Sequence, residues 1–238
     1  MILLLALLLI PLPALSQETP AAYFNPAYPP PLPPEHAPVD DEYFSDAVFI
    51  GDSMMEYVEI YELLPTAHFV WRIGMSPMSV GRKQFRVRGS EEMLTTYEYA
   101  LQFAPRKLYL WLGANGLDIK ASQGVIDDYE ALADEVVSRF PQALIYVISP
   151  PPMTKARMDE EQYVVPGRYV KFEQLLRELA ARRNFYYVDL YHMVADEDGY
   201  LPEAYSMGDG FHLNKTAYRL LTDALRACAV PYETEEMK

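Results

Sequence analysis

A serine, a histidine and an aspartate are the residues of this chain best placed to do chemistry. Ser53 comes just after the apolar run AVFIG (47–51), a predicted buried strand, and it precedes a predicted helix. Its hydroxyl is therefore expected at a strand-to-helix turn, beside free backbone N–H groups. A serine at such a turn is either a nucleophile or a helix N-cap. No G-x-S-x-G motif surrounds it, so the nucleophile elbow of α/β-hydrolases is not indicated.

The partners that a nucleophilic serine needs are also present. It requires a base to take its proton and an acid to orient that base. Asp209 and His212 lie three residues apart in GDGFHLN (208–214), where both side chains can lie on one side of a turn. Acyl transfer also requires donors for the developing oxyanion, and we expect the backbone N–H groups of Gly74 and Ser53 and the amide of Asn115 to supply them.

A second Asp and His pair has the same spacing and tests this assignment. Asp189 and His192 lie in FYYVDLYHMV (185–194), which we predict to be a strand. Residues three apart in a strand point to opposite faces, so we predict that these two side chains do not pair. Asp189 is expected to accept from backbone donors at the strand end, and His192 to be structural or on the surface.

The candidate residues follow apolar runs that alternate with amphipathic segments. Five runs are predicted strands: AVFIG (47–51), AHFVWRIG (67–74), KLYLWLGAN (107–115), ALIYVISP (143–150) and FYYVDLYHMV (185–194). Helices are predicted over 91–104, 122–140, 167–183 and 214–228, with Ser90 and Asn214 as N-caps. This alternation predicts an α/β fold, a three-layer α/β/α sandwich whose ligands lie at the carboxyl ends of the strands.

Four sequence blocks resemble those of the GDSL or SGNH hydrolases. They are FIGDSMM with Ser53, WRIGM with Gly74, WLGAN with Asn115, and DGFH with Asp209 and His212. The order of the blocks is that of the family, and the resemblance covers roughly residues 46–228. It implies a flavodoxin-like sheet of about five parallel strands, a triad of Ser53, His212 and Asp209, and an oxyanion hole made by Ser53, Gly74 and Asn115. Asp52 is interpreted as a residue that fixes the turn.

Composition narrows the classes of partner. The chain has 238 residues, 34 acidic and 20 basic, with a net charge of −14, which argues against nucleic-acid binding. The single cysteine, Cys228, provides no Cys-rich metal site, and we propose neither a metal nor a cofactor. One basic cluster, RKQFRVR (82–88), is either a solvated loop or a binding site for an anionic polymer.

The N-terminal sequence predicts export. Residues 2–15 form an apolar run of signal-peptide length, with a cleavage site before Gln17. An uncleaved membrane tether is the alternative. Residues 17–44 are rich in proline and predict an extended spacer, followed by the domain over 45–230 and a tail over 231–238.

These observations predict a secreted serine ester hydrolase. Its expected substrates carry short, acetyl-like acyl groups on carbohydrate or cell-envelope material. An acyltransferase or a lysophospholipase of the same family is an alternative. So is a non-catalytic carbohydrate-binding module with a relic triad. Membrane contact is expected only if the N-terminal segment stays uncleaved.

Overall fold

Strands of the central sheet lie where the apolar runs predict them, and a separate hairpin adds two more. The computed structural model describes residues 21–117, 119–160 and 167–232. The predicted signal peptide and its cleavage site fall outside these residues, as do 17–20 of the spacer and 233–238 of the tail. The strands are β1 (Ala47–Gly51), β2 (His68–Trp71), β3 (Gln84–Arg86), β4 (Met93–Thr95), β5 (Lys107–Trp111), β6 (Leu144–Ile148) and β7 (Tyr186–Val188).

Helices connect and cover these strands. They are α1 (Ser53–Ile60), α2 (Thr96–Leu101), α3 (Ala114–Leu117), α4 (Ser122–Arg139), α5 (Lys155–Glu160), α6 (Arg168–Arg183), α7 (Leu190–Val194) and α8 (Lys215–Ala227). Short 3-10 turns occur at Asp41–Phe44, Val80–Arg82 and Glu203–Tyr205. None of the helices formed by the described residues combines the length and apolarity that a bilayer crossing requires.

Five parallel strands make up the main sheet, in the order β2-β1-β5-β6-β7. Gly51 pairs with both Trp71 and Trp111, so β1, β2 and β5 end at the same edge. The chain changes direction across the sheet between β1 and β5, which is the point where ligands bind in folds of this type. The predicted three-layer α/β/α fold is confirmed.

Side chains of the strands alternate between two apolar layers. On one face, Val48, Ile50 and Leu108 pack under α4 and α6. On the other face, Phe49 and Trp111 pack under α1 and α8. Every residue of β1, β5 and β6 is buried, and apart from Lys107 at the start of β5 these strands carry no charged side chain, as expected of parallel strands covered on both faces.

An aromatic ladder crosses the second face. In register order its rings are Phe69, Phe49, Tyr109, Tyr146 and Tyr186, one from each strand of the sheet. The centroids of successive rings lie 5.4, 4.3, 4.4 and 5.1 Å apart. Cross-strand aromatic pairs of this kind stabilise a sheet beyond the apolar area that they bury.

The proline-rich segment, predicted as an extended spacer, packs on this ladder. The Tyr186 hydroxyl donates to Tyr28 O (2.8 Å) and accepts from Asn25 N (3.2 Å). Tyr187 N, on the outer strand β7, donates to Pro31 O (2.6 Å). Proline removes donors but leaves carbonyls free to accept, and the segment covers part of an open sheet edge.

The other end of the same segment is tied to the C-terminal residues. His36 Nε2 contacts Ala229 O at 2.5 Å, and the Tyr43 hydroxyl donates to Val230 O at 2.8 Å. Phe44 is fully buried. The packed structure therefore includes residues on both sides of the predicted domain boundary at position 45.

The helix predicted over 91–104 begins later than expected. Residues 93–95 form strand β4, which pairs antiparallel with β3, and α2 begins at Thr96. Thr95 and Glu98 make a capping box, in which Thr95 N donates to Glu98 Oε2 at 2.8 Å. This reciprocal pair is a stronger start signal than Ser90 with its acidic neighbours, and the β3 partner holds the preceding residues extended.

Removing the Tyr186 hydroxyl tests the contact between the proline-rich segment and the aromatic ladder. We expect Tyr186→Phe to lower the free energy of unfolding by about 1–3 kcal/mol, because Asn25 N and Tyr28 O lose their partner in a buried place. Tyr99→Phe is the control, since the Tyr99 hydroxyl makes no hydrogen bond within the described residues. Urea denaturation measures both, and equal changes in the two variants would contradict the anchoring role.

Candidate active site

Ser53 is the first residue of α1, and Asp52, not Ser53, is the N-cap. The Asp52 Oδ1 atom accepts from Met54 N at 3.0 Å. The hydroxyl of Ser53 is therefore not used for capping. Of the two interpretations open for Ser53, the structure removes the cap and leaves a hydroxyl at the carboxyl edge of the sheet.

A hydrogen-bonded chain joins Ser53, His212 and Asp209. Ser53 Oγ lies 3.1 Å from His212 Nε2, and His212 Nδ1 lies 2.6 Å from Asp209 Oδ2. With Nδ1 donating to the carboxylate, Nε2 is left as an acceptor for the serine proton. The His212 side chain is 24% exposed, so the imidazole is held by its neighbours but open to solvent on one side.

The charge on Asp209 is stabilised locally. Partial burial alone would raise the pKa of this carboxyl group. The hydrogen bond from His212 and those from the backbone N–H groups of Phe211 (2.9 Å) and His212 (2.8 Å) outweigh it, so the pKa lies below its ordinary value. The group that orients the imidazole therefore stays ionised.

The loop that carries Asp209 and His212 is closed on itself at its base. Ser206 Oγ accepts from Gly208 N and Gly210 N, both at 3.0 Å. Asn214 Nδ2 donates to Ala204 O at 2.6 Å while its Oδ1 caps α8, as predicted. A Cβ at Gly210 would lie 2.6 Å from Thr154 Oγ1, so this glycine lets the loop pack against the start of α5.

The predicted oxyanion donors lie at the ends of neighbouring strands. Gly74 follows β2 with a φ of +69°, which favours glycine, and its N–H is unpaired within the described residues. Ser53 N is likewise unpaired there, as the first N–H of a helix commonly is. Asn115 lies in α3, beyond β5, and its Nδ2 atom is 3.4 Å from Met75 O, the residue after Gly74.

Asp52 holds Asn115 in place. Asn115 Nδ2 donates to Asp52 Oδ2 at 2.7 Å, and it also makes a longer hydrogen bond to Met75 O. Asp52 is only 2% exposed, and this burial raises its pKa to about 6 in spite of hydrogen bonds that oppose the shift. The predicted role of Asp52 at the turn thus extends to the neighbouring loop.

Two aromatic rings beside His212 were missed by sequence reasoning. The rings of Tyr57 and Phe211 lie 6.0 and 5.0 Å from the imidazole, both edge-on. Tyr57 is four residues after Ser53 on α1, a spacing that places both on one helix face. This four-residue spacing is the feature of the sequence from which the position of Tyr57 could have been predicted.

The methionines near the site mostly belong to the core. Met54, Met55 and Met75 are 0–1% exposed, so they are packing residues and do not wall an acyl pocket. Met78, four residues after Gly74, is 45% exposed.

The second Asp and His pair corrects a prediction. Asp189 caps helix α7, so residues 190–194 are helical and not part of the strand. Asp189 Oδ1 lies 2.9 Å from His192 Nδ1, and the two side chains do pair. The cap, which accepts from His192 N at 3.1 Å, ends the strand early. What distinguishes His212 from His192 is its contact with Ser53.

Metal-ligating side chains come together in one place among the residues that the structure describes. Glu173, Asp189 and His192 place one ligand atom each within 4.8 Å of one another. Glu173 lies on α6, Asp189 and His192 follow β7, and the group includes none of Ser53, His212 and Asp209. His192 is 58% exposed and already contacts Asp189 directly.

A stability measurement tests the burial of the Asp52 charge. A carboxyl group whose pKa is raised on folding stabilises the fold most at low pH, and this contribution is lost as the pH rises through its folded value. Relative to Asp52→Asn, the wild-type free energy of unfolding should fall by about 2 kcal/mol between pH 4 and pH 7. Denaturation at several pH values measures this, and parallel curves would contradict it.

Solved structures with the same fold come from several bacteria. A Streptococcus pneumoniae protein named for platelet activating factor is 22% identical, with 76% of this chain and 81% of that chain covered and a TM-score of 0.59. A GDSL-like lipase from Bacteroides thetaiotaomicron is 14% identical, with 79% and 88% covered and a TM-score of 0.58. The C-terminal catalytic domain of Streptococcus pneumoniae peptidoglycan O-acetyltransferase A is 17% identical, with 76% and 90% covered and a TM-score of 0.50.

Comparisons of the sequence itself identify the family. A search of curated protein sequences gave no match. The model of the GDSL-like Lipase/Acylhydrolase family matches residues 49–220, a span that includes Ser53, Gly74, Asn115, Asp209 and His212. The chain therefore belongs to the GDSL-like lipase/acylhydrolase family and is a hydrolase of ester bonds.

Proposed function

We propose that this protein is a secreted serine esterase that removes short acyl groups from carbohydrate or cell-envelope material. The observation that carries the proposal is the chain of hydrogen bonds from Ser53 Oγ through His212 to Asp209. It lies at the carboxyl edge of the sheet, beside N–H groups that are free to bind an oxyanion.

In the proposed reaction Ser53 Oγ attacks the carbonyl carbon of the ester, and His212 Nε2 takes the serine proton. The negative charge on the tetrahedral intermediate is stabilised by Ser53 N, Gly74 N and the Asn115 amide. His212 then protonates the departing alcohol as the ester bond breaks, which leaves an acyl group on Ser53. Water, deprotonated by His212, attacks this acyl-enzyme, and Ser53 leaves with the proton. Asp209 orients the imidazole and stabilises its charged form throughout.

A preference for short acyl groups is supported by the packing around Ser53. The side chains of Met54, Met55 and Met75 are buried in the core, so these three neighbours of Ser53 and Gly74 in the chain offer no surface to a long acyl chain. Of the apolar residues next to Ser53 and Gly74 in the chain, Ile73 is the one that is exposed.

A glycan or envelope substrate is supported by two observations of a different kind. The apolar run over residues 2–15 is typical of export. One protein of similar fold is a peptidoglycan O-acetyltransferase domain, which also makes transfer of the acyl group to a second alcohol a candidate activity. The same acyl-enzyme serves both outcomes, with water or a sugar hydroxyl as acceptor.

Paired substitutions test the triad. Ser53→Ala and His212→Ala should each lower kcat on p-nitrophenyl acetate by about 10⁴-fold or more, because they remove the nucleophile or its base. His192→Ala is the matched control, since it removes a histidine with the same aspartate spacing and should retain activity. A fluorophosphonate probe should label wild type at Ser53. Loss of activity in the His192 variant alone would refute the assignment.

A series of esters tests the acyl preference. Rates on p-nitrophenyl acetate, butyrate and octanoate should fall as the chain lengthens, and acetylated xylan and peptidoglycan should release acetate. Higher rates on octanoate would contradict the short-acyl proposal. Formation of acetylated sugar in the presence of a glycan acceptor would identify the transferase.

A further inference from the structure

The basic cluster found in the sequence has no part in the proposed chemistry. From position 72 to 88 the chain has five basic residues and no acidic one: Arg72, Arg82, Lys83, Arg86 and Arg88. These are a quarter of its 20 lysines and arginines, in a protein whose net charge is −14. Such a local reversal of charge is unusual enough to need a physical reason.

Most of these cations lie on the hairpin of β3 and β4, which we call the basic hairpin (residues 82–95). Its inner side is fixed by Phe85, which is 6% exposed and stacks on Tyr99 at 5.4 Å. Its outer side carries Arg86 and Arg88, two residues apart and therefore on the same face of the strand and its extension. The cations are thus displayed by a packed element.

The basic hairpin is fixed to the edge of the sheet that carries Ser53. Arg72 directly follows β2, and its N–H donates to Gly51 O at 3.3 Å, two residues before Ser53. Its guanidinium donates to Gln84 O at 3.1 Å and lies 4.4 Å from the centre of the Phe85 ring. One residue therefore connects the strand end at Ser53 with the hairpin.

Several cations of the hairpin are not neutralised. Within the described part of the chain, the side chains of Arg82, Lys83 and Arg88 form no ion pair. Arg86 pairs with Glu91 at 2.9 Å, but both side chains are more than half exposed, so the pair is weak. Elsewhere, exposed cations such as Arg139 and Lys155 do have carboxylate partners.

Apolar surface lies next to these charges. Ile73, between Arg72 and Gly74, is 72% exposed, and Met78 is 45% exposed. An extended ligand that passes over Ser53 towards the hairpin would therefore meet apolar side chains and then a row of cations. This order fits a polymer whose sugar rings pack on apolar groups and whose charged groups face arginine.

We propose that the basic hairpin binds the polymer that carries the ester, and that this polymer is a polyanionic glycan with repeated carboxylate or phosphate groups. The inference rests on the proposed esterase function for the identity of the bond that is cleaved. The hairpin supplies affinity for the chain, while the Ser53 edge supplies the chemistry.

The test compares charged and neutral polymers with equal acetyl content. Wild type should have a higher kcat/KM on O-acetylated polygalacturonate than on O-acetylated xylan. Arg82→Gln with Arg88→Gln should lower the ratio of the two values by roughly 3- to 30-fold. The wild-type ratio should also fall when salt rises from about 0.05 M to about 0.5 M, because exposed charges are screened. Lys171→Gln with Arg219→Gln is the control. It removes two exposed positive charges, one from α6 and one from α8, and gives the same net charge as the hairpin variant.

Binding without catalysis separates this inference from the proposed function. Ser53→Ala should still bind unacetylated polygalacturonate. Adding Arg82→Gln and Arg88→Gln to it should raise the Kd for this polymer by roughly 3- to 30-fold. If wild type has no esterase activity but binds in this manner, the proposed function fails and the hairpin inference stands. Equal ratios in the hairpin and control variants would overturn the inference. So would hairpin-dependent binding to phosphatidylglycerol vesicles with polygalacturonate binding unchanged, which would indicate a membrane surface.

Discussion

The buried carboxylate of Asp52 links the parts of the site that come from different strands. One oxygen caps α1 and thereby fixes the turn on which Ser53 stands, and the other holds the amide of Asn115 beyond β5. A charge buried this deeply costs free energy unless it is hydrogen-bonded. The cost is tolerated here because both oxygens have donors, and it ties the position of Ser53 to that of Asn115.

The sheet supplies the second requirement, which is that the strand ends coincide. The pairing of Gly51 with both Trp71 and Trp111 brings three loops to one edge. His212 and Asp209 come from a fourth loop, before α8, whose base is closed by Ser206 and Asn214. Rigidity on both sides of the 3.1 Å contact between Ser53 and His212 keeps the proposed nucleophile within reach of its proposed base.

The main sheet and the candidate site could be predicted from sequence because both depend on local signals. Apolar runs identify strands buried on both faces, and the blocks around Ser53 and His212 are short and contiguous. Other features depend on contacts between distant residues. The Asp52–Asn115 bond spans 63 positions. The run FYYVDLYHMV is apolar enough to suit a strand or a helix, and the cap by Asp189 decides where one becomes the other. Strand β4 forms only because β3 is there to pair with it.

The packing of the proline-rich segment could not be predicted for a related reason. Prolines predict extended backbone, but they do not reveal whether tyrosines and carbonyls along it will find a surface. Here they find the aromatic ladder and the residues after α8, and Ala22 N donates to Arg183 O just before β7 begins. The chain thus joins the domain at the amino ends of the strands, whereas Ser53 lies at their carboxyl ends, about 17 Å away for strands of five residues. A surface that held the first twenty residues would therefore lie at the end of the domain opposite the Ser53 edge. That edge would stay accessible to substrates too large to enter the space between the domain and the surface.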